Sequence, residues 1–102
     1  MRDQNGKTVW LDSQELQRRA HKKTSPQAPG TLGKNNLHGT VRLQVLVGKD
    51  GAVECARAIE GHPVAISPAI TAIQDWVFEP YTLDGEPHAV LGEISVNYDF
   101  RR

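Results

Sequence analysis

Cysteine, net charge and long apolar runs are what this 102-residue sequence has least of. Its single cysteine, Cys55, cannot close an intramolecular disulfide, so stability has to come from a packed core. Twelve Lys+Arg against twelve Asp+Glu give a formal net charge of zero. That balance excludes the wholesale phosphate neutralisation that makes nucleic-acid-binding domains basic, and equally an acidic disordered tail. No stretch approaches the roughly 20 apolar residues that cross a bilayer, and the opening MRDQNGKTVW has no apolar signal-peptide core. The expectation is therefore a soluble chain with no direct membrane insertion and no targeting segment in the sequence itself. A chain of this length buries roughly two-thirds of the surface it exposes when unfolded, enough for one core without metal or disulfide staples.

The zero net charge conceals two unlike parts. Residues 1–34 hold seven basic and three acidic groups, residues 35–102 five and nine. The first part, residues 1–36, reads as an N-terminal extension. It has a short apolar segment at Thr8-Val9-Trp10-Leu11, a candidate short strand, then Asp12-Ser13-Gln14-Glu15, the N-cap and acidic first turn of a helix predicted from about Ser13 to Lys23. Leu16 is that helix's only large apolar residue, with Ala20 four positions on, so it offers only a thin stripe to pack. Two Pro, two Gly and two adjacent Asn between Thr24 and Asn36 predict an irregular connection.

Residues 37–102 read as the domain proper. Val41, Leu43, Val45 and Val47 alternate with Arg42 and Gln44, the period-2 signature of a half-buried strand. Gly48-Lys49-Asp50-Gly51 is a hairpin turn, and a second strand runs from Ala52 to about Glu60. Gly61-His62-Pro63 closes it. Ser67 as cap and Pro68 in the first turn predict a helix over 67–78, stopped by Pro80, with Ile66, Ala69, Ile70, Ile73 and either Val77 or Trp76 on its apolar face. After a turn at 83–87, Val90, Ile94, Val96, Tyr98 and Phe100 alternate with polar residues in a last strand from His88 to Phe100. The predicted fold is α+β: a small antiparallel three-stranded sheet (β-β-α-β, order 2-1-3) with one helix packed on one face, plus the N-terminal extension. Its core should hold Val41, Leu43, Val45, Val47, Val53, Cys55, Ile66, Ile70, Ile73, Val90, Ile94 and Val96.

Catalytic and metal chemistry find no support. His21, His38, His62 and His88 lie far apart with no CxxC or HxxxH pair, and Cys55 sits mid-strand like a small hydrophobe. Glu54, Glu60, Asp75, Glu79 and Glu93 show no convergent spacing, and Gly-Lys-Asp-Gly lacks the context of a phosphate loop. No cofactor, no metal and no enzymatic activity are expected. A small sheet covered by one helix does leave strand edges, and an unpaired edge is a template for another strand. The polar side of the last strand, Glu93, Ser95, Asn97 and Asp99, suits a recognition edge. The competing reading is an edge merely solvated, or covered by the N-terminal segment.

Gly39-Thr40-Val41, the Asp50-Gly51 hairpin, Gly61-His62-Pro63, Trp76-x-Phe78-x-Pro80 and Gly85-x-Pro87 occur in that order. Together they resemble the C-terminal domain of TonB-family energy transducers, over about residues 37–100. In this resemblance Gly39, Asp50, Gly51, Gly61, Pro63, Trp76, Phe78, Pro80, Gly85 and Pro87 are fold residues. It implies a non-catalytic module in energy-dependent transport that binds an extended peptide, the TonB box of an outer-membrane transporter, by strand addition at the last strand. The implied contact residues are Ala89, Val90, Leu91, Gly92, Glu93, Ile94, Ser95, Val96, Asn97 and Tyr98. The implied location is the periplasm, as part of a longer or exported protein. The alternative is a structural or self-association domain of a larger periplasmic protein, in which the last strand pairs or swaps in a homodimer. The family's usual Tyr-Pro segment before the first strand is represented here only by Ser25-Pro26 and Ala28-Pro29.

Overall fold

The computed structural model describes residues 8–29 and 36–100; residues 30–35 of the connection predicted over 24–36 lie outside the described residues. In chain order the elements are β1 (Val9–Trp10), α1 (Ser13–Arg18), β2 (Ala20–Lys22), β3 (Leu37–Val47) and β4 (Val53–Glu60), then α2 (Pro63–Ile73), β5 (Val77–Phe78), β6 (Tyr81–Leu83), β7 (Glu86–His88) and β8 (Val90–Phe100).

This corrects the expected three-stranded sheet with a single helix. The main sheet has four strands in the order β1-β8-β3-β4, with β1 parallel to β8 and the other pairs antiparallel. Two ribbons, β2-β5 and β6-β7, and a second helix complete the described structure. The strands that the predicted sheet leaves out are two or three residues long, too short to display the alternation by which a strand is read from sequence.

β3 and β8 pair along their whole length, from Leu37 opposite Phe100 to Val47 opposite Val90. The β3-β4 hairpin closes with Gly48 N–H donating to the Ala52 carbonyl at 2.8 Å, while the Asp50 carboxylate accepts from the Ala52 N–H at 3.0 Å. A register shift at Leu46/Val47 places Val53 opposite Val47 but Cys55 opposite Leu46. Val53 therefore packs against the core whereas Cys55 sits half-buried on the other face, which corrects its expected core position. Bulges change side-chain parity in this way.

Both helices end earlier than their sequence pattern suggests. α2 starts at Pro63, not Ser67, because the His62 Nδ1 accepts from the Val64 N–H at 3.2 Å and Pro63 takes the first helical position, where its missing N–H costs nothing. Pro68 is then accommodated inside the helix. α2 stops at Ile73, so Trp76-Val77-Phe78 is not helical: Val77–Phe78 is drawn into β5, where Phe78 N–H donates to the Gly51 carbonyl at 2.8 Å. The same ribbon shortens α1, since Ala20 and Lys22 pair with Phe78 and Val77. Tertiary pairing overrides helix propensity at both places.

One face of the sheet carries the core. Phe78, Phe100, Leu16, Leu43, Ile73, Ile94, Val41, Val45, Val47 and Val96 are its largest fully buried side chains. Trp76 lies beside Phe78, ring centroids 6.1 Å apart, and its indole N–H donates to the Thr24 carbonyl at 2.9 Å.

Candidate strand-recognition edge

Antiparallel pairing lets β8 give alternate residues to β3 and turn the others outward. The outward set is identified by its partners. The carbonyls of Ala89 and Leu91 accept from the N–H groups of Val9 and Leu11 at 3.0 and 3.1 Å, through β1. Farther along, the side-chain amide of Gln17 on α1 meets the Ser95 backbone twice: Nε2 donates to the Ser95 carbonyl and Oε1 accepts from the Ser95 N–H, each at 3.2 Å. The outer edge of β8 thus runs through the backbone of residues 89, 91, 93, 95, 97 and 99.

The residues expected to form the site divide accordingly. Ala89 and Leu91 are engaged by β1. Val90, Gly92, Ile94, Val96 and Tyr98 are buried toward the core. Tyr98 covers Gly39, its hydroxyl 3.0 Å from where a Cβ would stand there, and its ring centroid is 5.0 Å from that of Phe100. Glu93 and Asn97 point to the open face of the sheet: Glu93 binds Arg42 at 3.0 Å, and the Asn97 Oδ1 accepts from the Thr40 hydroxyl at 2.9 Å. Beside Ser95 and Asn97 a groove of about 190 Å³ is bounded by Gln17, Lys23, Thr24 and Trp76.

Arg42 bridges Glu93 and, at 2.9 Å, Glu60. The hydrogen bond to Glu93, then that to Glu60, raises its guanidinium pKa above an already high value. A raised folded-state pKa gives stability present at low pH and lost only as pH climbs through that pKa, so the shift at Arg42 adds no pH dependence in the neutral range. The groups are exposed, and such pairs contribute little. Arg42→Met is therefore expected to move the thermal midpoint by no more than a few degrees in a calorimetric scan.

The remaining motif residues serve the fold. Asp50 and Gly51 make the hairpin, Pro80 packs near Gly51, and Gly61 lies against Val41. Pro63 opens α2, Gly85 turns β6 into β7, and Pro87 faces Thr82 in that ribbon. Cover by the N-terminal segment is the competing sequence reading of this edge, but the sequence does not single out Leu16, Gln17 and β1 as the parts that provide it. A glycine inside a strand, Gly92, was the available signal, because such glycines mark a close approach by another segment.

The family model described as the Gram-negative bacterial TonB protein C-terminal matches residues 26–100. The chain belongs to the TonB C-terminal family. No individual curated protein matches it. TonB C-terminal domains are non-catalytic interaction domains of the periplasm that take part in energy transduction for transport. The TonB match takes in everything from β3 to β8 and leaves β1, α1 and β2 outside. Among the described residues no helix is long and apolar enough to cross a membrane, and no group of His, Cys, Asp or Glu is arranged to hold a metal.

Proposed function

We propose that this domain captures an extended segment of an outer-membrane transporter by strand addition along the outer edge of β8, as a step in energy-dependent transport. The observation that carries this reading is the state of that edge. Within a TonB C-terminal domain, the outward backbone of β8 is engaged by a two-residue strand at one end and by a side-chain amide at Ser95, and a groove lies alongside it at Asn97. An edge that accepts such strand-like partners offers the main-chain hydrogen bonds that give strand-addition complexes most of their affinity. Because β1 uses Ala89 and Leu91, the contact segment is assigned to residues 93–99 rather than to 89–98.

A proline at position 97 isolates the main-chain contribution. The Asn97 N–H points away from β3, so Asn97→Pro removes one outward donor and spares the β3 ladder. Asn97→Ala keeps the N–H and loses only the bond to Thr40. With a synthetic peptide copying the extended TonB-box segment of an outer-membrane transporter, Asn97→Pro is expected to weaken binding about fivefold and Asn97→Ala hardly at all, the gap being one main-chain hydrogen bond of about 1 kcal/mol. Backbone amide shifts on peptide addition should centre on residues 93–99. Equal affinity for the two variants, or shifts confined to α2 or the open sheet face, would sink the reading.

A further inference from the structure

We propose that the chain's own residues 8–18 are a tethered competitor for the outer edge of β8, and that a partner strand gains the full edge only when this segment lifts away. The inference rests on the strand-addition reading above and concerns how that same site is regulated.

Three contacts make residues 8–18 a ligand rather than a passive cover. First, β1 lies parallel to β8 with Val9 opposite Val90 and Trp10 opposite Leu91, occupying outward carbonyls as an added strand would. Second, Gln17 presents one donor and one acceptor to the two backbone groups of Ser95, so a side-chain amide replaces a residue of a neighbouring strand. Third, Leu16, fully buried, sits over Gly92. A Cβ at Gly92 would stand 2.8 Å from the Leu16 Cδ2 and 2.9 Å from the Leu11 carbonyl oxygen, so the missing side chain is the notch that receives this segment.

The same contacts show why the segment can leave. Parallel pairing over two residues is weak, and a six-residue helix is not stable in water without a surface to pack on. Glu15 forms its ion pairs with Arg18, inside the segment, and with Arg19 at the hinge, so neither pair ties the segment to β8. The chain immediately after it is fastened independently. The Arg19 carbonyl accepts from the Glu79 N–H at 2.7 Å, β2 pairs with β5, and Thr24 holds the Trp76 indole. Arg19 is thus the natural pivot, and release of residues 8–18 leaves the core ribbon in place. These residues precede the part matched by the family, so the competitor is an addition to the TonB-type domain. A tethered competitor lowers apparent affinity by the fraction of time it is docked.

The test uses the full chain in three forms and the transporter-segment peptide above as probe. Leu16→Gln with Gln17→Ala empties the notch and removes the Ser95 bonds while keeping good helix formers. A second protein, Trp10→Cys with Leu91→Cys in a Cys55→Ser background, locks β1 onto β8 when oxidised, since paired strand residues lie about 4.8 Å apart, within disulfide reach. The expected result is at least tenfold tighter peptide binding by the released variant than by the unmodified chain. The oxidised lock should bind at least tenfold more weakly than the same protein reduced. Equal affinity in all forms, with β8 amides still shifting, overturns the competitor and leaves strand addition standing. A synthetic peptide of residues 8–19 added in trans separates the opposite case. If it binds the released variant and not the unmodified chain, while the transporter peptide shifts no β8 amide in any form, the competitor stands and the strand-addition function falls. Should the released variant fail to fold, the oxidised and reduced lock decide alone.

Discussion

Gly51→Ala is expected to destabilise the domain by at least about 3 kcal/mol, one of the largest effects available from adding a single methyl group. Gly51 has φ +90°, a conformation that costs an L-residue roughly 1–2 kcal/mol. A Cβ there would also stand 2.0 Å from the Phe78 carbonyl oxygen, far inside any real contact. The collision cannot be relieved cheaply, because the Gly51 carbonyl accepts from the Phe78 N–H at 2.8 Å and Phe78 is fully buried. Moving Phe78 away would therefore break that bond and unseat a core aromatic. Urea denaturation followed by circular dichroism measures the loss; a change under about 1 kcal/mol, the ordinary scale of point mutations, would mean that the hairpin and β5 are not joined as described.

Trp76→Ala should cost roughly 3–5 kcal/mol, the range for truncating a buried aromatic. Trp76 is 5% exposed, stacks near Phe78 and ties the N-terminal extension to the domain through the Thr24 carbonyl. Trp76→Phe separates the two contributions. It keeps most of the apolar volume, loses the indole N–H, and is expected to cost about 1 kcal/mol more than volume loss alone, with the Thr24 carbonyl left without this donor. Tryptophan emission provides an independent reading, because Trp10 is 62% exposed. Removing Trp76 should leave only the red-shifted emission of a solvated indole, and a residual blue-shifted component would place Trp10 in a buried setting instead.

The candidate site was legible in outline and not in its boundaries. The alternation of Val90, Ile94, Val96, Tyr98 and Phe100 announces a long strand with one buried face, and the structure has β8 there. Which backbone groups of that strand face outward depends on its pairing with β3, and what occupies them depends on Leu16 and Gln17, 78 positions from Ser95 in the case of the glutamine. One competing sequence reading, an edge covered by the N-terminal segment, describes residues 89–91 and 95. The helix boundaries failed for a related reason. Trp76-Val77-Phe78 continues an acceptable helical pattern, yet β2 and Gly51 offer extended partners that a helix could not satisfy.

By itself the sequence determined what local chemistry can determine: a hairpin at Asp50-Gly51, where one residue must take a positive φ, the period-2 strands β3 and β8, and the motif series of a TonB C-terminal domain. These follow from backbone sterics and from burial on one face, both of which act over a few residues. Only the tertiary structure decided that the sheet has a fourth strand, that Cys55 leaves the core at a bulge, and that the β8 edge is partly held by the chain itself. Those outcomes depend on which distant segments arrive with complementary hydrogen bonds and apolar surface. Two-residue strands and a lone leucine carry no periodicity from which such meetings could be read.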